Sequence, residues 1–150
     1  MKKIAIVYGE HSNEKIASLL AREIYKEFEL YADIVECPLG YDKSRTPFDE
    51  QLKLDGRIEE WRNELLKKYK LVVPFHDGSL RKDILFSLLL DIGNEVKGWE
   101  IEEDSSPPDV IDGIGEGALF VEVNRDLPLA KVKKKFKEFL IYLIQESKVI

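Results

Sequence analysis

Two histidines occur in these 150 residues, and each falls where an apolar run gives way to polar residues. His11 stands in "VYGEHSNEK", just after residues 3–8 (KIAIVY), with Glu14 three positions further on. His76 follows "KLVVPF", and an acid, Glu122, lies inside another apolar stretch, "GALFVEVN". Histidine and glutamate three apart across a loop-to-helix junction share one side of a turn and can aim at one point. Two imidazoles and one carboxylate make a catalytic zinc set that leaves a fourth position for water. A further glutamate beside that water would serve as its general base. Taken singly, each residue also has a plainer role: a surface histidine, or an acid favoured by a helix dipole.

The elements that must position these groups follow from hydrophobic periodicity. Residues 3–8 read as a strand buried on both faces. Ile16, Leu19, Leu20, Ile24 and Phe28 then mark one face of a helix, capped by Ser12 or Asn13, with Glu14 in its first turn. "YADIVECP" reads as a second strand. A polar loop, "LGYDKSRTPFDE", leads to a helix with Leu54, Ile58, Trp61 and Leu65 on one face, whose start Gly56 weakens. Residues 70–75 form a third strand. "KDILFSLLLDI" is apolar almost all round and reads as a short, deeply buried helix, with "VKGWEIEE" a minor strand after it. Residues 104–117, rich in Ser, Pro, Gly and Asp, read as an ordered loop or a mobile flap.

A last strand at residues 118–124 sets Phe120, Glu122 and Asn124 on one face and Leu119, Val121 and Val123 on the other. An acid at that place is costly unless it faces a polar cavity or is paired. The C-terminal helix buries Val132, Phe136, Phe139, Leu140 and Leu143 beneath a run of lysines. Alternation of strand and helix predicts an α/β fold in three layers, a mostly parallel sheet with helices on both faces. Ligands in such folds bind beyond the carboxyl ends of the strands, where His11, Glu14, His76 and Glu122 collect.

Length and composition set the outer bounds. One domain spanning residues 1–150 suits this length, and an apolar fraction of 44% argues against disorder. A net charge of −6 argues against nucleic acid or an anionic membrane as the main partner. Charged residues reach 35%, mostly Lys and Glu, a balance typical of heat-adapted proteins. Cys37 is the one cysteine, which excludes an internal disulfide and a thiolate-rich zinc knuckle and suggests a buried strand-end thiol. The N-terminal apolar run is too short for a signal peptide and no stretch has membrane-spanning length, so the compartment expected is the cytosol.

"GEHSNEKIASLL" resembles the G-x-H-x-x-E segment of the zinc carboxypeptidase superfamily, most like its succinylglutamate desuccinylase and aspartoacylase branch, which reads G-x-H-G-N-E. "LVVPFHDGS" is similar to that family's later strand ending in D-x-H, and "GALFVEVNRDLPLAKVKKKFKEFL" to its final strand and helix. The order is kept from residue 3 to residue 146. The resemblance implies zinc held by His11, Glu14 and His76, with Glu122 as general base. It also implies an arginine that grips a substrate carboxylate or polarises the carbonyl, from an N-R-x-F-P-like segment. "KSRTPFDE" lies in the right interval, which makes Arg45 the candidate, since a guanidinium suits bidentate carboxylate recognition. Arg125, in "NRDLP", comes after the base and reads as a residue leading into the last helix.

Three departures from that pattern stand out. Pro74 replaces the aspartate two before the histidine, Ser44 replaces the asparagine before the arginine, and the chain is much shorter than typical members. The short length implies reduced substrate-enclosing loops, or loops supplied by a second subunit in a homo-oligomer. The expected activity is zinc-dependent hydrolysis of an amide bond in a small acyl-amino acid or at a peptide C-terminus. The alternatives are an N-formylglutamate amidohydrolase-like enzyme, an inactive family member, and a non-enzymatic α/β binding module whose "YGEHSN" is a ligand loop at a helix N-terminus.

Overall fold

The computed structural model describes residues 2–112 and 114–146. Strands β1 (Ile4–Tyr8), β2 (Ala32–Glu36), β3 (Leu71–Gly78), β4 (Phe86–Asp91), β5 (Val96–Ile101) and β6 (Gly117–Asn124) join in one sheet of order β2-β1-β3-β6-β4-β5. The first four in that order are parallel, while β4 runs antiparallel to both β6 and β5. Helices α1 (Lys15–Phe28), α2 (Phe48–Leu65), α3 (Pro108–Ile111) and α4 (Leu129–Glu146) complete the fold. The chain is therefore α/β with a mixed, mostly parallel sheet in a three-layer arrangement.

The two faces of the sheet are unequal. Ile4, Ile6, Leu71, Val73 and Phe75 point to the side where α1, α3 and α4 build the main core with Leu20, Ile24, Phe136 and Phe139. Their alternates, Ala5, Val7 and Val72, point to the other side and pack with Trp61 and Leu65 of α2, with Leu66 just after it, and with Val35 and Tyr69. Among the described residues no helix covers β4 and β5 on that side. Ser87, Leu89 and Asp91 of β4 share register with Glu122, Phe120 and Ala118 of β6 there, and Leu89 is exposed.

Residues 82–92, expected to be helical, instead form β4 and its flanks. Phe86, Leu88 and Leu90 are buried in the main core while Ser87, Leu89 and Asp91 alternate outward. A short apolar run does not separate helix from strand by itself, and here pairing with β6 and β5 on both edges decides for strand. The segment 104–117 contains α3, whose Val110 and Ile111 are buried with Ile114 under α4. Ordered packing, rather than a flap, accounts for its described residues. Helix α2 begins at Phe48, inside the stretch expected to be loop, with Pro47 at its cap and Asp49 and Glu50 in its first turn where the dipole favours acids. Gly56 thus lies well inside the helix.

Helix α1 also differs in detail. Its buried stripe is Ala17, Leu20, Ala21, Ile24 and Phe28, and Ile16 and Leu19 face outward. Neither Ser12 nor Asn13 caps it: Asn13 accepts from the Lys43 backbone N–H, and Glu14 itself occupies the cap position with its carboxylate turned elsewhere. The amide of Ala17 donates instead to the buried carboxylate of Asp77 on β3, 2.8 Å away. Arg125 reaches back to the same residue, 3.1 Å from its carboxylate and donating to its carbonyl at 2.9 Å. A strand thus supplies the oxygen that helix starts normally take from their own cap.

Pro74 sits inside β3, an interior strand. It is in register with Val7 of β1, but the pairing to β6 skips Val73 and Pro74 and resumes at Phe75–Val121. The missing proline N–H explains a gap in a ladder that interior strands normally keep complete.

Candidate metal centre

The sheet changes winding direction at β1: β2 lies to one side of it and β3 to the other. The carboxyl ends of β1 and β3 therefore border a crevice of the kind in which open α/β sheets bind ligands. After β1 the chain turns through Gly9, whose φ of +80° suits a residue without Cβ. A Cβ on Gly40 would strike the Gly9 carbonyl oxygen, so the second loop lies directly on the first. The contact is completed by the Ser12 amide donating to the Tyr41 carbonyl (2.8 Å) and by a bridge between His11 and Tyr41. This close packing fixes the loop that carries Glu10, His11 and Glu14.

Three of the residues expected from sequence are brought together. One ligand atom from each of His11, Glu14 and His76 lies within 4.8 Å of the others, and the group could hold a metal ion. Glu14, only 8% exposed, divides its carboxylate between the histidines: Oε2 is 3.1 Å from His11 Nδ1 and Oε1 is 2.8 Å from His76 Nδ1. Burial works against the charge of Glu14, yet these hydrogen bonds outweigh it and hold the carboxyl down at about 2. Burial likewise disfavours a charged His76, but its hydrogen bonds to Glu10 and Glu14 push it up to about 9.

Each imidazole is also held from behind. His11 Nε2 is 3.2 Å from Asp55 Oδ1 of α2, and the same oxygen accepts from the Tyr41 hydroxyl at 2.7 Å. Burial first, then Asp55, raise the Tyr41 phenol well above its ordinary value. His76 Nε2 is 2.9 Å from Glu10 Oε1, which also accepts from Arg62 of α2 at 2.9 Å. The Arg62 guanidinium carbon lies 4.6 Å from the Phe120 ring centroid, a cation–π contact.

Glu122 stands beside His76 in register, on the adjacent strand and the same face. Parallel neighbours are about 4.8 Å apart. Its carboxylate leans over Gly78, where a side chain would collide with it. Glu122 is exposed rather than desolvated, because this half of the sheet face has no covering helix. With His76, Phe120, Leu89 and Gly98 it lines an open depression of about 500 Å³. Arg45 is not brought to the cluster. It ends a short 3-10 turn at Lys43–Arg45, its side chain is 86% exposed, and its ion-pair partner is Asp42 at 3.7 Å. The guanidinium at the centre is that of Arg62, 14% exposed.

Glu10, Asp55, Arg62 and Tyr41 escaped the sequence reading. Glu10 had the plainest signal, an acid set directly between the glycine that follows β1 and His11. Asp55 and Arg62 are spaced seven apart beside the apolar face of α2, which puts both on one flank of the helix. Comparisons with protein-family models, curated proteins and solved structures give no match to this chain. What it does must therefore be read from its own residues.

Proposed function

We propose that this protein is a zinc-dependent amidohydrolase acting on a small acyl-amino acid or a peptide C-terminus. The carrying observation is the double use of both imidazoles, which turn Nδ1 toward Glu14 and set Nε2 against a second carboxylate, Asp55 or Glu10. Metal-binding histidines characteristically give their other ring N–H to such a partner. Two imidazoles and a carboxylate suit zinc and leave a coordination position free. Zinc held there would supply Lewis-acid polarisation of the scissile carbonyl and a water of lowered proton affinity.

Glu122 is assigned the proton. As the water oxygen adds to the carbonyl carbon, its carboxylate takes the released proton, then hands it to the amine nitrogen as the C–N bond breaks. Its register with His76 and the shared depression support that role, since the base must stand within reach of a group bound beside the histidines. The motif resemblance to the zinc carboxypeptidase superfamily points the same way. One observation favours a second reading: every imidazole nitrogen already faces a carboxylate, so the cluster satisfies itself as a buried ion-paired network.

Metal analysis separates the two. The hydrolase should purify with about one zinc per chain, His11→Ala and His76→Ala should each lose it, and the zinc form should turn over members of a panel of acyl-amino acids and short peptides. A protein that takes up no zinc is the ion-paired network; one that binds zinc yet is inert across the panel is a metal-binding module.

A further inference from the structure

We infer that Glu10 and Arg62 form a positioning pair that fixes His76 with its Nε2–H toward the protein and its Nδ1 toward the metal; the inference rests on the metal-centre reading above. A neutral imidazole has one donor and one acceptor nitrogen, and an ion needs the lone pair of the one facing it. For His76 that nitrogen is Nδ1, which lies against Glu14. Its lone pair is available when the ring proton is held on Nε2, where Glu10 Oε1 receives it at 2.9 Å.

The carboxylate of Glu10 has few means of holding that orientation by itself. It is 2% exposed, and its second oxygen, Oε2, is buried with no hydrogen-bond partner among the described residues. Both donors it does have, His76 and Arg62, converge on the single oxygen Oε1. Remove Arg62 and the acid is left buried with His76 alone, free to rotate about its own axis and costly to keep ionised. Arg62 is in turn fixed, seated against the Phe120 ring and on the flank of α2 that also carries Asp55. One chain of contacts thus links α2 through Arg62 and Glu10 to the imidazole. Partners of this kind typically contribute 10- to 100-fold to metal affinity.

The test uses the full chain labelled with ¹⁵N-histidine, in which two imidazoles give the whole side-chain spectrum. In zinc-loaded wild type, both Nε2–H protons should be slowly exchanging and both Nδ1 atoms metal-shifted. Arg62→Met should weaken zinc binding about 10- to 100-fold, measured against a competing chelator. It should also broaden or abolish the His76 Nε2–H signal while that of His11, held by Asp55, stays in place. Arg62→Lys, which restores a donor to Glu10, should recover much of both. Glu10→Gln is near-isosteric and keeps an acceptor, so it should fold, shift the His76 signal and weaken zinc about tenfold. A folded Arg62→Met or Glu10→Gln with wild-type zinc affinity and an unmoved His76 resonance overturns the pair. A wild type that binds no zinc overturns the pair and the metal centre together.

Discussion

In the metal-free protein, the contacts of His76 with Glu10 and Glu14 should make stability depend on pH in an unusual direction. His76 is raised from 6.5 to about 9 because Glu10 and Glu14 outweigh the burial that opposes its charge. A group whose folded value is raised contributes stability that is complete below its unfolded value and lost as pH climbs through the folded one. Each pH unit is worth about 1.4 kcal/mol, so the contribution is about 3 kcal/mol, fully present below pH 6.5 and gone above about 9. Glu14, held from 4.5 down to about 2, gives the mirror image: stability present above 4.5 and lost as pH falls toward 2. The His76–Glu14 contact enters both, while His76 also draws on Glu10 and Glu14 also draws on His11, so the two contributions overlap and are not summed. Against a total of about 5–15 kcal/mol for a domain of this kind, the effect is large.

The assay is urea denaturation of chelator-treated protein at a series of pH values, for wild type and for His76→Asn. Other groups titrate over the same range, and the difference between the two proteins at each pH isolates the histidine. That difference should fall by about 3 kcal/mol between pH 6.5 and 9. Saturating zinc should abolish the fall, because the metal takes the place of the Nδ1 proton and binding no longer depends on keeping it. A difference constant to within about 0.5 kcal/mol across the window would refute the reasoning, since it would mean that His76 carries no excess proton in the folded state.

Glu122→Gln should keep zinc and change stability by less than about 0.5 kcal/mol, being exposed, yet lower turnover on any accepted substrate by about 100-fold or more; retained turnover in steady-state assays would remove Glu122 from the mechanism. Arg45→Ala should leave zinc affinity and melting temperature unchanged, as an exposed loop arginine paired with Asp42; loss of metal would show a link from that loop to the centre. Asp77→Ala should cost about 1–3 kcal/mol in urea denaturation, because it strips the buried Ala17 amide of its acceptor at the start of the helix that carries Glu14. Burial pushes the Cys37 thiol up to about 11, so native protein at pH 8 should react with a disulfide reagent far more slowly than urea-unfolded protein.

The strands that carry the candidate site were legible because their apolar runs are short, β-branched and bounded by turn residues. β1, β3 and β6 needed only that pattern, although β3 runs on through His76 to Gly78 rather than ending at residue 75, because its pairing with β6 continues to Asn124. Their parallel order then brought His11 and His76 to one end of the sheet. β4 was not legible. "ILFSLLLDI" has the polar residues Ser87 and Asp91 four apart, which fits a helical face as well as a strand's alternation. Its strand character comes from two neighbours distant in sequence, β6 and β5. The bare half-face has the same origin. A helix at 82–92 would have been a candidate to cover the sheet, whereas a strand widens it and leaves Glu122 exposed.

Histidine stands out in a chain with only two of them, and so the group that could hold a metal ion was legible; arginine and glutamate do not stand out where charged residues make up 35%. The motif order pointed to Arg45, but position along the chain says only which loop a residue belongs to, while reach is set by which way a helix is rolled. Ile58 is the single buried residue of α2, and Trp61 and Leu65 are half-buried beside it. Seating Trp61 and Leu65 on Ala5, Val7 and Val72 turns the adjacent flank, with Asp55 and Arg62, over the ends of β1 and β3. The roll of α2 thus brings Arg62 to the centre, while Arg45 lies outside that helix on the exposed turn before it. Because so little apolar surface sets that roll, the polar contacts to His11 and Glu10 hold the helix down as much as the helix holds the histidines. Metal loading and α2 docking should therefore strengthen each other, so zinc should slow hydrogen exchange along α2 more than along the well-buried α4. Equal protection of both helices would place the anchor of α2 in its apolar edge instead.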